Sequence, residues 1–411
     1  MGIVNALMIV ISVTFQPLLA VIPKIFFKFA TNKRDYMFIE RILITDFKNI
    51  HSAELHFSPK LNCIWGSNGE GKTNLLDAIY YLSMTKSYFN GSDIYTFKRG
   101  SSYVALNGIY DEDGQKCSIS IGIKGTAADD GTIKVDEKVV KRDGKNYSRI
   151  SEHIGKIPVV VVSPTDTELI NSGGDERRRF INMVLSQLDS EYLRRLQNYN
   201  QLLLQRNKLL KMGGADVVSA EYLDTIDERM AVNAEYIYNE RLKISSLLND
   251  SVCNYYNILS NSKENVLFEY RSQLTNSSTL ELFKENFEKD RVLKYTSSGI
   301  HRDDFLFSVN GMPIKNCGSQ GQQKTFLIAL KLAQYEIMLN LHSKQPLLLL
   351  DDVFDKLDMG RVGRLIEVVS GSRFGQIFIT DSSKVRMESV LEPVLAMSRN
   401  FTVENGVFQL L

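Results

Sequence analysis

The sequence predicts an α/β fold written in two halves, with a flanking antiparallel β-sheet and an inserted helical arm subdomain. Three observations carry that prediction. Leu61–Trp65 is a compact apolar run ending at glycine, and Asn74–Leu82 reads as a helix. A strand, a glycine loop and a helix therefore follow one another. From Arg177 to about Tyr256 glycine and proline nearly vanish, apart from Gly213-Gly214, as long helices require. From Arg291 the α/β character returns, with a helix over Phe326–Leu341 and buried strands at Leu347–Leu350 and Gln376–Thr380.

The bulk numbers fit this plan. A chain of 411 residues buries one large core or two ordinary ones. Hydrophobic residues at 44% and charged residues at 24% are those of a globular protein. Basic and acidic residues number 49 and 48, a net charge of +1, so any nucleic-acid surface must be a local patch. Cys63, Cys117, Cys253 and Cys317 lie far apart without a Cys-x-x-Cys pair. That pattern argues against a zinc site and suits a reducing compartment such as the cytoplasm.

Residues 1–36 stand apart from the rest. Met1–Pro23 carries no charge and Ile3–Val13 is almost continuously apolar, close to the ~20 residues needed to cross a bilayer. The simpler reading is a dispensable extension from an upstream start codon, with the folded protein beginning at Met37. The other is a membrane anchor, in which case Lys24, Lys28, Lys33 and Arg34 hold the following chain in the cytoplasm.

Residues 37–176 form the first half of the head. Phe38–Phe47 and Ala53–Phe57 read as strands. Tyr103–Tyr110, Cys117–Ile123 and Thr132–Val140, separated by Asp-Gly and Gly-Thr turns, form a β-meander. Val159–Val162 is a short buried strand stopped by Ser163-Pro164. Residues 177–290 are the helical insertion. Tyr192, Leu196, Tyr199, Leu203 and Leu210, then Leu223, Ile226, Met230, Ile237 and Ile244, follow three- and four-residue spacing. Two long antiparallel helices are expected. Residues 291–411 complete the head.

The chemistry begins at Gly66-Ser67-Asn68-Gly69-Glu70-Gly71-Lys72-Thr73, a full G-x-x-x-x-G-K-[ST] match. Its glycines let successive backbone N–H groups face phosphate oxygens, and the helix behind adds its positive end. Lys72 reaches the β- and γ-phosphates, and Thr73 offers its hydroxyl to Mg²⁺. These residues and Asn74 form the expected nucleotide-binding set. Asp351 and Asp352 follow the Leu347–Leu350 strand. Asp351 suits the metal, and Asp352 suits orienting or deprotonating an attacking water, with Lys72 as its catalytic companion. Two acids after a strand also occur in ordinary helix caps. Ser319-Gln320-Gly321-Gln322-Gln323 opens a helix over Lys324–Leu341. Ser319 is a helix cap by default, but its exposed N–H groups also suit an arriving γ-phosphate.

Ser-x-Gly-Gln before a helix, Leu-Leu-Leu-Leu-Asp-Asp, and Asp355-Lys356-Leu357-Asp358 together resemble the signature, Walker B and D-loop series of ABC-type ATPases. Within that superfamily the chain resembles the RecF family of bacterial recombination-repair ATPases from Met37 to its C-terminus. The resemblance includes Ile44–Asn49, Arg178-Arg179-Phe180, Tyr199 with Gln205-Arg206-Asn207, and His301-Arg302-Asp303-Asp304. It departs at Ile300, where the family carries proline, and at Pro164-Thr165-Asp166. Thr380-Asp381 stands where transporter ATPases carry a switch histidine. His301-Arg302-Asp303 is not a kinase loop, because Ser308 replaces the asparagine due five residues later.

The resemblance implies an ABC-type head that binds ATP and Mg²⁺, a weak DNA-dependent ATPase, and a homodimer with ATP sandwiched between subunits. Lys72 and Thr73 then hold one face of ATP, Asp351 the metal, and Ser319 with Gln320, Gly321 and Gln322 the partner's γ-phosphate. Asp352 promotes slow hydrolysis, and Asp355–Asp358 lies across the interface. The implied setting is gapped DNA, with RecO and RecR as partners, recombinase loading, replication restart and the SOS response. A transporter membrane subunit is not expected, since Asp-Asp replaces the usual Asp-Glu. A long chromosome-organising coiled coil does not fit the about 245 residues between Thr73 and Ser319. Arg177–Arg179, Arg194-Arg195 and Arg206–Lys208 are candidates for DNA phosphate contact, although helical arms carry solvated charges routinely.

Overall fold

The computed structural model describes residues 36–127, 132–212, 220–261, 264–355, 357–385, 387 and 398–411. The apolar extension and Lys356 lie outside the described residues. Tyr36–Leu411 forms one compact unit.

The chain opens with the hairpin β1 (Met37–Phe47) and β2 (Ile50–His56), whose two-residue turn is Lys48-Asn49. Strand β3 (Leu61–Trp65) follows, then the glycine loop and helix α1 (Lys72–Met84). Next come β4 (Tyr103–Glu112), β5 (Gln115–Ala127), β6 (Ile133–Arg142) and the short β7 (Lys145–Asn146). They join the hairpin in one antiparallel sheet of order β2-β1-β4-β5-β6-β7. Alternating burial along β4 and β5 marks a sheet packed on one face only.

Strand β8 (Val159–Val162) returns to the head. The insertion holds α2 (Gly174–Leu188), α3 (Ser190–Lys211) and α4 (Ala220–Ser260). Helices α3 and α4 run antiparallel: Arg206 meets Asp227 at one end and Tyr192 meets Arg241 at the other. The expected apolar stripe is the seam, with Tyr192, Tyr199, Leu210, Ile226, Met230, Ile237 and Ile244 all buried. The helices do not project freely along their whole length. Leu248, Val252 and Tyr256 of α4 share one core with Phe326 and Leu330 of α5 (Gln320–Leu341). Two strands here were missed by periodicity, β9 (Val266–Arg271) and β10 (Asp304–Val309). They pair antiparallel, with the short β11 (Met312–Pro313) at the edge.

Strand β12 (Leu347–Leu350), helix α6 (Met359–Ser370), β13 (Ile377–Asp381), β14 (Ser398–Glu404) and β15 (Val407–Leu410) complete the head. Its six-stranded sheet has the order β15-β14-β3-β13-β12-β8, and all contacts except β14–β15 are parallel. Every residue of β3, β8, β12 and β13 is buried, and β8 and β12 accordingly read as unbroken apolar runs. Parallel strands on either side of β13 bring the carboxyl ends of β3 and β12 to one edge, where ligands bind in open α/β sheets. Sequence-remote motifs converge there for that reason.

Candidate nucleotide site

The glycine loop leaves β3 at Gly66. A Cβ at Gly66 would sit 2.4 Å from the Val403 carbonyl oxygen, so β14 leaves no room for a side chain. Gly69 and Gly71 have φ of 88° and 119°, a region that L side chains rarely adopt. Gly71 caps α1. Two other segments brace the loop. Asn49, from the β1–β2 turn, donates to the Gly69 carbonyl (3.3 Å) and accepts from Asn74 (2.7 Å). The Gly406 N–H donates to the Glu70 carbonyl (2.8 Å), and the Asn405 N–H to its carboxylate.

Lys72 Nζ donates to the carbonyls of Gly66 (2.6 Å) and Ser67 (2.9 Å) and lies 3.5 Å from Asn68 Oδ1. Thr73 Oγ1 donates to Asp351, 3.0 Å from each carboxylate oxygen. Thr380, the penultimate residue of β13, donates to Asp351 Oδ1 at 2.7 Å and accepts from the Asp352 N–H at 3.1 Å. Burial pushes the Asp351 pKa up; the Thr380 and Thr73 hydroxyls oppose that shift, and the neighbouring Asp352 adds to it. A buried carboxylate beside a second acid is costly to ionise. A hydroxyl and a carboxylate are hard oxygen donors, so this pair fits Mg²⁺, which retains most of its waters. Asp352 has φ of 48°, the left-handed conformation, which turns the chain out of β12.

The Ser319 segment is placed elsewhere. Helix α5 begins at Gln320, four residues earlier than periodicity predicts, with Ser319 as its cap. Ser319 and Gln322 form a reciprocal capping box: Gln322 N–H donates to Ser319 Oγ (3.2 Å), and Ser319 N–H to Gln322 Oε1 (2.7 Å). Gln322 Nε2 donates to Glu264 Oε1 at 2.7 Å. Gly321 packs against Arg361 of α6. Among the described residues no hydrogen bond joins Ser319, Gln320, Gly321 or Gln322 to the glycine loop.

Two candidate arginines are committed to carboxylates within the protein. Arg206 is fully buried, 2.7 Å from both Asp227 and Asp290, so it cannot contact DNA. Arg177 forks onto Asp304 at 2.8 and 3.0 Å. Asp303 accepts from Arg241 (2.7 Å) and Tyr270 (2.6 Å), and His301 Nδ1 lies 2.8 Å from the Tyr199 hydroxyl. The His301-Arg302-Asp303-Asp304 run thus ties the helices to the head. Sequence reasoning assigned no role to Thr380, Asn49 or Glu264. A hydroxyl closing the apolar run Ile377–Ile379 was the available sign for Thr380, whereas Glu264 gave none.

A parallel core sheet with a P-loop after β3, an acidic pair after β12 and a flanking antiparallel sheet define an ABC-type P-loop ATPase head. The fold agrees with an Smc head domain from Pyrococcus furiosus, at a TM-score of 0.52 and 15% identity over 91% of this chain and 96% of that one. The family described as the RecF/RecN/SMC N terminal domain matches residues 38–407. A Bacteroides fragilis protein called DNA replication and repair protein RecF is 43% identical over 371 residues, 90% of this chain and 97% of its own. Its Flavobacterium johnsoniae counterpart is 39% identical over 87% of this chain and 97% of its own. A solved structure of the recombination mediator RecF with ATP aligns at a TM-score of 0.80 and 28% identity, covering 92% of this chain and 98% of that one. The chain belongs to the RecF family.

Proposed function

We propose that this chain is an ATP-dependent DNA-binding protein of recombinational repair and replication restart, and a weak DNA-dependent ATPase. The observation that carries the reading is the meeting of Thr73 with Asp351, 278 residues apart in sequence, at 3.0 Å. The relatives' role in DNA replication and repair and the ATP in the solved RecF structure support it.

In this reading Gly66 to Asn74 cradle the triphosphate with backbone N–H groups, and Lys72 exchanges its carbonyl partners for phosphate oxygens. Thr73 and Asp351 hold Mg²⁺, which supplies charge neutralisation at the phosphates. Asp352 orients or deprotonates the attacking water. Ser319, Gln320, Gly321 and Gln322 serve the γ-phosphate bound by a second copy of the chain. ATP then bridges a homodimer on gapped DNA, and slow hydrolysis releases it. The helical segment 177–290 is a subdomain inserted between head halves 37–176 and 291–411. RecR and RecO are the partners, acting in the cytoplasm toward recombinase loading and the SOS response. The solved structures' place in the RecFOR pathway supports that assignment.

Sedimentation with and without ATP and gapped DNA tests the proposal. The wild-type chain is expected to dimerise and bind DNA only with ATP, and Lys72→Ala and Ser319→Arg to do neither. An unchanged monomer in ATP, or DNA binding indifferent to both substitutions, would sink it.

A further inference from the structure

The end of α1 remote from Lys72 opens on a cavity of about 580 Å³ between the head and α2–α3. Its walls carry Lys86, Arg178, Arg179 and Arg241, but a single acid, Asp175. That imbalance is local, because the whole chain is nearly neutral. Arg241 is committed to buried Asp303 and Arg178 to Asp175 and the Asp303 carbonyl. The other two cations are less engaged. Arg179 is exposed, 3.5 Å from Glu176 and 3.4 Å from the Tyr88 carbonyl. Lys86 is exposed and has no ion pair among the described residues. Partial desolvation, then Arg179 and Lys138, lower its pKa, so the like charges face one another.

A lysine just past a helix C-terminus is favoured by the helix dipole, which accounts for Lys86 alone. It does not account for Arg179, which arrives from α2. Of the four cations only Lys86 lacks a carboxylate partner among the described residues, and Arg179 keeps only the long contact to Glu176; an anion between Lys86 and Arg179 would relieve their repulsion. The groove is open and also lined by the amides of Asn182, Gln197 and Asn200. Lys, Arg, Asn and Gln are the side chains that contact the phosphates and sugars of nucleic acids.

We propose that this groove holds the DNA phosphate backbone, with Lys86 and Arg179 each neutralising one phosphate. The site rests on the DNA-binding function proposed above and gives it named contacts. Helix α1 joins it to the nucleotide loop, its 13 residues spanning about 20 Å.

The test is binding of a labelled gapped duplex by the full chain with ATP between 50 and 200 mM KCl. Each phosphate contact contributes about 0.9 to the slope of log K against log salt. Lys86→Gln with Arg179→Gln should reduce the slope by about 2, equivalent to roughly tenfold less salt sensitivity over that range. Lys86→Gln alone, on an exposed side chain, should remove about 1. Arg373→Gln, which breaks a surface pair with Glu336 outside the groove, should keep the wild-type slope. An unchanged slope in the double variant, or an equal fall in Arg373→Gln, overturns the site and leaves the cations to another anion such as an acidic protein. Wild-type binding that Lys72→Ala abolishes keeps the proposed function standing in that case. A wild-type chain that binds no DNA overturns both.

Discussion

Replacing Thr380 by valine nearly preserves its shape and removes one hydroxyl. That hydroxyl is buried, donates to Asp351 at 2.7 Å and supports the Asp352 N–H at 3.1 Å. A hydrogen bond to a charged acceptor contributes about 1.5–3 kcal/mol, and the part-buried Asp352 N–H, left without its partner, costs about 1 kcal/mol, the low end for an unsatisfied donor. Partial relaxation leaves an expected loss of about 2–4 kcal/mol, with little cavity contribution. Guanidinium denaturation measures it as a lower midpoint with an unchanged m-value. In an Asp351→Asn background the charge-assisted part disappears, so Thr380→Val should cost about half as much there. A loss below about 0.5 kcal/mol in the wild-type background, the ordinary effect of a surface change, would refute the claim that Thr380 organises the acidic pair.

Asp351→Asn should raise the melting temperature of the nucleotide-free protein while abolishing ATP turnover. The folded-state pKa of Asp351 is raised by burial, so its favourable contribution exists at low pH and is lost as pH climbs through that raised value. Thermal melts at neutral pH decide this, and a lowered melting temperature contradicts it. His301 behaves oppositely: burial presses its pKa from 6.5 down to about 4. Its stabilising contribution is present above the unfolded value and lost as pH falls between these two values. His301→Gln should therefore flatten the pH dependence of stability in that window, measured by urea titrations at successive pH. Arg206→Met should cost about 3–5 kcal/mol, since Asp227 and Asp290 lose their buried partner. Chemical denaturation checks that value, and a near-neutral result would mean the two aspartates find other partners or protons.

Much of the fold was legible because its head strands are extreme cases. Val159–Val162 and Leu347–Leu350 are uniformly apolar since both sheet faces are covered. The glycine loop was equally plain, because backbone with φ near +90° and a Cβ-free approach to Val403 demand glycine at fixed positions. Strand β9 was missed since Val266–Arg271 pairs with a strand almost 40 residues onward, and local periodicity carries no trace of that partner. Ser319 is legible as a helix cap, but Gln320–Gln323 carry no apolar residue to extend the periodicity, so only the capping box shows that the helix starts directly at Gln320. In the sequence Arg206 is a charge on a helical arm, a candidate for DNA phosphate contact or for solvation. Its burial depends on Asp227 and Asp290, from two distant segments. Pairing across tertiary contacts, not composition, decides which arginines face water.

The claim that two copies complete one nucleotide site is tested most directly by mixing two defective chains. Lys72→Ala keeps Ser319 and Ser319→Arg keeps Lys72, so only a mixed dimer contains one intact composite site. Analytical ultracentrifugation with ATP should find each variant monomeric alone and a dimer appearing on mixing. A mixture no more dimeric than its components, or either variant dimerising alone, would contradict the account.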